Sequence, residues 1–269
     1  MFKKSILAIC LAVAPLPSLA DSNTDLKTII DNHWQNAKAE KIFFRTDPDG
    51  WKPSGTLPHW TEQAIAKRQA YNNSVLKNLA SIDPKTLNSE QLMNYRLFKY
   101  ERETEQQSYL FQDKYFQVNF LSGWHTYFAE APANMAFLTP DDYNAFLVSL
   151  ADYPRFNQEN INLMKEGIEK GYTHYCKTFE NYSQSINAHI VKRPENSALY
   201  EPFTRIPNTF TAEQKATYQN KAKALISSKV VPAYQHFYDF FENDYMPNCR
   251  AEPGISSVKG GLEYYKYAV

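Results

Sequence analysis

The chain has 269 residues, with 29 basic and 29 acidic side chains and no net formal charge, so bulk electrostatics recruits neither nucleic acid nor anionic lipid. Glycine falls well below its usual share of about 7%, at 8 residues, while aromatic residues reach 15%. Scarce turn residues argue against sandwiches and barrels and remove the glycine-rich phosphate cradles of nucleotide-binding folds. What remains is a mainly α chain, a multi-helix array of long, partly kinked helices.

Lys3 and Lys4 precede an apolar run from Ile6 to Val13, and the stretch ends in Ser18-Leu19-Ala20. This is the pattern of a secretory signal peptide over residues 1–20, cleaved after Ala20. The run is about half of the roughly 20 residues a membrane span needs, and no later segment reaches that length uninterrupted. The expectation is a periplasmic or secreted protein with no membrane span. Cys10 follows the bulky Ile9, where a lipidation signal wants a small residue, so ordinary cleavage is the better reading. Loss of Lys3 and Lys4 leaves 27 basic against 29 acidic side chains over residues 21–269, a formal charge of −2.

Helical periodicity begins over Thr24–Glu40, with Leu26, Ile29, Ile30 and Trp34 on one face. Thr46 to Pro58 carries three prolines and two glycines and is expected as an extended loop. A longer helix is predicted over Trp60–Ala80, with Ala64, Tyr71, Val75, Leu76 and Leu79 inward. Pro84 and Asn88-Ser89 then break and restart the chain, and a helix carrying Leu92, Tyr95, Tyr100 and Tyr109 extends toward Gln112. Glu101, Arg102, Glu103 and Glu105 read as its solvated face.

Thr139-Pro140-Asp141-Asp142 is a helix start: Thr caps, Pro suits the first turn, and the acids favour the positive end of the dipole. That helix runs to about Gly171, with Pro154 imposing a kink or a break. Thr211 and Gln214 form a capping box for apolar periodicity reaching Tyr245, kinked at Pro232. Beyond it Tyr234, Phe237, Tyr238, Phe240 and Phe241 are aromatic residues expected to pack inward.

Cys176 and Cys249 remain after cleavage, and in an oxidising compartment a disulfide between them is the default. Two buried thiols, or half of a metal site, are the alternatives. His33, His59, His125, His174, His189 and His236 never fall within five positions of each other, so no zinc-binding helix signature is present. No Gly-x-Ser-x-Gly elbow occurs either, and neither cysteine has a neighbouring signature of a lowered thiol pKa. The most unusual stretch runs from Gln117 to Glu130. Its Trp124, His125, Tyr127 and Glu130 either line a cleft or pack at a helix junction.

Several phrases, in order, carry a resemblance. They are Gly123-Trp124-His125-Thr126-Tyr127-Phe128-Ala129-Glu130, Tyr153-Pro154-Arg155, Lys165-Glu166-Gly167-Ile168-Glu169-Lys170-Gly171-Tyr172, Val231-Pro232-Ala233-Tyr234 and Gly260-Gly261-Leu262-Glu263-Tyr264-Tyr265. Together they resemble the bacterial domain-of-unknown-function 885 family, regarded as zinc metallopeptidases. The resemblance implies a large helical fold similar to gluzincin-type peptidases. There a His-Glu-x-x-x-Gly-His-His-like segment of the C-terminal half supplies the zinc ligands and a general base, and the metal polarises a scissile carbonyl.

No such segment occurs before Val269, so no catalytic residue and no metal ligand carries over, and zinc is expected only for the complete family fold. Residues 21–269 are then expected to be the N-terminal part of a larger catalytic fold, truncated before the zinc motif and inactive alone. Its partners would be the missing C-terminal half and, in the complete protein, a peptide substrate. Such a half would expose apolar surface where its partner belongs, and Tyr264, Tyr265, Tyr267 and Val269 read as an unfinished helix. The other reading is a freestanding exported helical protein that binds a ligand or peptide in an aromatic cleft.

Overall fold

The computed structural model describes residues 21–40, 44–47 and 50–269, without the side chains of 38, 39 and 44–47. The expected signal peptide, with Cys10, lies outside the described residues. The mainly α build holds. α1 spans Ser22–Ala39, α2 Glu62–Leu79 and α3 Ser89–Ser108. Asp21, Thr61 and Asn88 cap them through side-chain oxygens that accept from Asn23, Ala64 and Gln91 N–H groups, satisfying donors that a helix start leaves open. Leu26, Val75, Leu79, Ile82, Tyr95 and Phe98 close a small core among these three helices.

Between α1 and α2 the expected extended loop is in part an antiparallel strand pair, β1 (Phe44–Asp47) and β2 (Gly50–Pro53), with Thr46 opposite Trp51; residues 48 and 49 lie outside the described residues. The pair is anchored from its far side. Lys52 Nζ lies 3.1 Å from Asp142 Oδ2, both side chains buried, and the Ala136 N–H donates to the Trp51 carbonyl at 2.7 Å. A buried lysine is tolerated only when paired in this way.

The third helix ends at Ser108, short of Gln112. The chain turns there so that the Phe111 ring meets Tyr264 and Tyr267 at 5.5 and 4.9 Å. Short α4 (Trp124–Glu130) follows, and then the 31-residue α5 (Pro140–Lys170). The predicted start of α5 is a full capping box between Thr139 and Asp142, and Gly171 ends it in the left-handed region at φ 78°, a conformation that costs glycine little. Pro154 does not split the helix.

Short α6 (Ser183–Asn187) and α7 (Glu201–Thr204) lead to α8 (Ala212–Leu225), whose box pairs Thr211 with Gln214. A π turn over Ile226–Val230 joins α8 to α9 (Val231–Phe240), and another over Phe241–Tyr245 follows. The first π turn sits just ahead of Pro232, where the widened register absorbs the missing N–H. Cys176 and Cys249 form a disulfide, Cα to Cα 5.1 Å, and α10 (Gly261–Ala268) ends the described chain.

The large core packs α4, α5, α6, α8 and α9, with Phe146, Tyr153, Phe203, Tyr234, Phe237 and Phe241 almost fully enclosed. No helix among the described residues is long and apolar enough to cross a membrane. The exposed apolar side chains include two helical stripes: Met93, Leu97 and Tyr100 on α3, and Leu262, Tyr265 and Val269 on and just after α10.

Candidate functional cleft

The stretch singled out in sequence divides between core and surface. Trp124 is buried, its ring 4.1 Å from that of Phe237, and its Nε1–H donates to Asn157 Oδ1 at 2.9 Å. Asn157 Nδ2 in turn donates to the Ala233 carbonyl at 3.0 Å. His125 is fully enclosed, with Nε2 3.0 Å from Ser185 Oγ. Because that hydroxyl donates to the Tyr182 carbonyl, the imidazole proton belongs on Nε2, and Nδ1 is left buried without a partner.

Burial, reinforced by His189, pushes His125 down to about 3, so the ring is neutral at any ordinary pH. Tyr127 and Glu130 face solvent, and Tyr127 Oη accepts from Ser122 Oγ at 2.8 Å. These four residues therefore divide into a packed pair and an exposed pair, and none of them lines the cleft described next.

The cleft lies between the two cores. Its larger part, about 890 Å³, is walled by Asn36 and Glu40 of α1, by residues 56–59 and Thr61, by the start of α2 and by Glu159 of α5. Arg68 is common to this part and to a second of about 530 Å³, walled also by Trp60, Tyr109, Lys114 and Gln117. Phe111, Gln112, Asp113 and Phe116 join the second part to a smaller apolar recess of about 170 Å³ closed by Tyr172, Val258 and Tyr264.

One wall of the larger part is held by one face of α5. Asp152, Arg155 and Glu159 are spaced three and four apart and so share a helix face. Arg155 grips Asp152 through Nε and Nη2 at 2.8 and 2.6 Å and Glu159 through Nη1 at 2.9 Å. It also donates to the carbonyls of Leu57 and Pro58. Leu57 N–H donates to Asp152 Oδ2 and Trp60 N–H to Glu159 Oε2, at 2.9 and 2.6 Å. Burial alone would raise both acids. The Arg155 fork and the Leu57 N–H outweigh it at Asp152, and the Trp60 N–H, Arg155 and His59 do so at Glu159, so both stay below the usual carboxylate range.

This network fastens residues 57–60 to α5 and turns His59 toward the cleft. His59 Nδ1 lies 3.0 Å from Arg155 Nη1 and 3.1 Å from Glu159 Oε1. The two contacts call on Nδ1 in opposite roles: without a proton it accepts from Arg155, and with one it donates to Glu159. No group of three His, Cys, Asp or Glu among the described residues is placed to hold a metal ion.

Sequence reading did not single out His59, Trp60, Arg68 or Glu159. A usable signal was present in the helical spacing of Asp152, Arg155 and Glu159 around the Tyr153-Pro154-Arg155 phrase. The partner positions on residues 57–60 are about one hundred residues distant in sequence and carry no periodicity of their own.

The sequence profile of the family described as "Bacterial protein of unknown function (DUF885)" matches residues 47–269. No curated protein matches the chain. Among solved structures, a protein of Colwellia psychrerythraea, proposed in its description to be a lipoprotein, is similar with a TM-score of 0.66 at 15% identity. The likeness covers 92% of the present chain and 44% of that one, so the chain spans less than half the length of this structural relative. At that identity it is the fold that is shared, and the profile match over most of the sequence establishes the lineage: the chain belongs to the DUF885 family of bacterial proteins.

Proposed function

We propose that the chain is the N-terminal scaffold and substrate-cleft portion of an exported peptidase. The metal chemistry that the family resemblance implies, zinc, would be held by a C-terminal half and not by these residues. The observation that carries the reading is the cleft itself. It is an elongated trough between two helical cores, walled by fixed backbone at residues 57–60 and by charged and aromatic side chains, which is the form an extended peptide needs. The extent of the solved relative, more than twice that matched here, supports a larger complete fold. The exposed stripes on α3 and α10 supply apolar surface for it. The Cys176–Cys249 disulfide suits an oxidising compartment outside the cytoplasm.

On this reading the cleft residues bind and orient substrate, and the present chain alone has no turnover. The test is zinc content and peptide hydrolysis by residues 21–269, beside the same chain extended by any downstream coding sequence. Zinc and turnover confined to the extended form support the proposal; stoichiometric zinc or hydrolysis by residues 21–269 alone overturns it. The second reading is a freestanding exported peptide-binding protein, and the observation in its favour is that the described residues wall the cleft by themselves. Tight peptide binding by this chain, with no gain in zinc or activity on extension, would select it.

A further inference from the structure

Arg68 stands at the waist where the two larger parts of the cleft meet. Its guanidinium is held in place on two sides. Nη1 donates to the His59 carbonyl at 3.0 Å, and the guanidinium carbon lies 4.9 Å from the centre of the Trp60 ring. Nη2 is buried and has no hydrogen-bond partner. Among the described residues neither Arg68 nor its neighbour Lys67, which lines the same wall, is paired with a carboxylate.

The acids nearby are largely spoken for. Glu159 is held by Arg155 and the Trp60 N–H, and Glu105 by Arg102 and the Tyr109 hydroxyl. Glu40 faces the cleft from the end of α1. The waist therefore presents a fixed, half-buried, incompletely satisfied cation beside a second, exposed cation, on an aromatic support. A guanidinium in this condition is matched by a planar anion that accepts from its free edge.

We infer that Arg68, assisted by Lys67, is the carboxylate subsite of the cleft and takes the free C-terminal carboxylate of a short peptide. This deepens the peptide-cleft reading and rests on it for the identity of the ligand. The carboxylate accepts from Nη2 once the cleft wall yields enough to admit it, and the Trp60 face shields the pair from water, where a charge-assisted bond is strongest. The apolar recess closed by Phe111, Phe116 and Tyr264 continues from the same cleft, so a peptide with a bulky apolar side chain upstream of its carboxylate fits both ends.

The test is calorimetric titration of the full chain with N-acetyl-phenylalanine, with a tetrapeptide ending in phenylalanine, and with the carboxamide of each. Both acids should bind at least about tenfold more tightly than their amides, the scale of one hydrogen bond to a charged group. Arg68→Gln should abolish that ratio, Arg68→Lys should restore part of it, and Lys67→Gln should reduce it two- to threefold, a distant cation's share. Circular dichroism of each variant establishes that the helices persist.

Equal binding of acid and amide, no binding of either, or a ratio that survives Arg68→Gln each overturns the subsite. Failure of the peptide reading looks different. The acid preference and its loss in Arg68→Gln would remain, but the tetrapeptide would bind no better than N-acetyl-phenylalanine, which identifies a carboxylate site that is not part of a peptide cleft.

Discussion

The two cores on either side of the cleft are built by different means. The α1–α3 unit encloses six side chains and relies on caps and local ties, such as Asn23 Oδ1 accepting the Asn88 N–H at 3.0 Å. It leaves His33 Nδ1 unpartnered within it and an apolar stripe of α3 in water. The larger body interlocks aromatic rings through α4, α5 and α9 and is clipped by the disulfide. A cleft between a rigid wall and a lightly packed wall can widen at modest cost, because the low-stability side yields first.

The largest expected effect breaks the body. Phe237 touches the rings of Trp124, His125 and Phe241, and Phe237→Ala should cost about 3–5 kcal/mol and shift the global denaturation midpoint. Leu79→Ala, at about 2–5 kcal/mol, should act on the smaller core alone. Hydrogen exchange would then speed up in α1–α3 while α5 and α9 stay protected. Uniform loss of protection in both variants would mean that the two cores are one cooperative unit.

Next in size is the disulfide, which closes a separation of 73 residues entirely within the body. Cys176→Ser with Cys249→Ser should lower stability by about 2–4 kcal/mol. Above the bridge the His174 carbonyl accepts from Arg250 N–H, and beside it Tyr245 Oη accepts from His174 N–H. The amides of 174–176 and 249–250 should therefore lose protection before those of α2. Greater loss in α2 would place the clip's influence across the cleft.

Acidification sharpens the contrast. Burial pushes His125 to about 3 and His174, with Arg250 beside it, to about 4, against about 6.5 in an unfolded chain. Below 6.5 the unfolded state takes up protons that the folded body refuses, so stability falls with falling pH, by up to about 1.4 kcal/mol per pH unit for each such histidine. For His174 the loss runs down to about pH 4, and for His125 to about pH 3. The lowered carboxyls of Asp142, Asp152 and Glu159 contribute stability lost only below their unfolded range near 4. A denaturant midpoint flat between pH 7 and 4.5, or one that moves equally in His125→Phe, would contradict this assignment.

The helices and their starts were legible because they rest on local chemistry. Thr139, Thr211 and Asn88 cap where their spacing to Asp142, Gln214 and Gln91 says they should. Pro154 was read as a kink or a break and Pro232 as a kink; α5 runs unbroken through the first, and a π turn precedes the second. The strand pair over 44–47 and 50–53 was missed because proline and glycine mark turns without saying whether strands flank them. The phrases behind the family resemblance are chiefly joints of the fold. A Cβ on Gly123 would meet Val118 and Tyr182 within 3 Å, one on Gly167 would lie 2.9 Å from the Tyr172 carbonyl, and one on Gly261 1.7 Å from that of Ile255. The cleft was less legible, because His59, Arg68 and Glu159 come together only through tertiary contacts.

The smallest effect is the most discriminating. Asn88→Ala and Thr211→Ala each remove one N-cap, an equal loss of about 1 kcal/mol, but from different regions. At Thr211 the box feeds α8, whose Ala222 and following Ile226 sit in the large core, so the loss should appear as a small shift of the global midpoint with little local opening. At Asn88 the cap starts α3, and the same residue's N–H holds α1 through Asn23. In a core of six side chains about 1 kcal/mol is a large share of the local reserve, and the amides of α1 and of the first turns of α3 should exchange several-fold faster with the midpoint nearly unchanged. Matching local and global responses in both variants would remove the distinction between a yielding and a rigid wall, and with it the expectation that the cleft opens from the α1–α3 side.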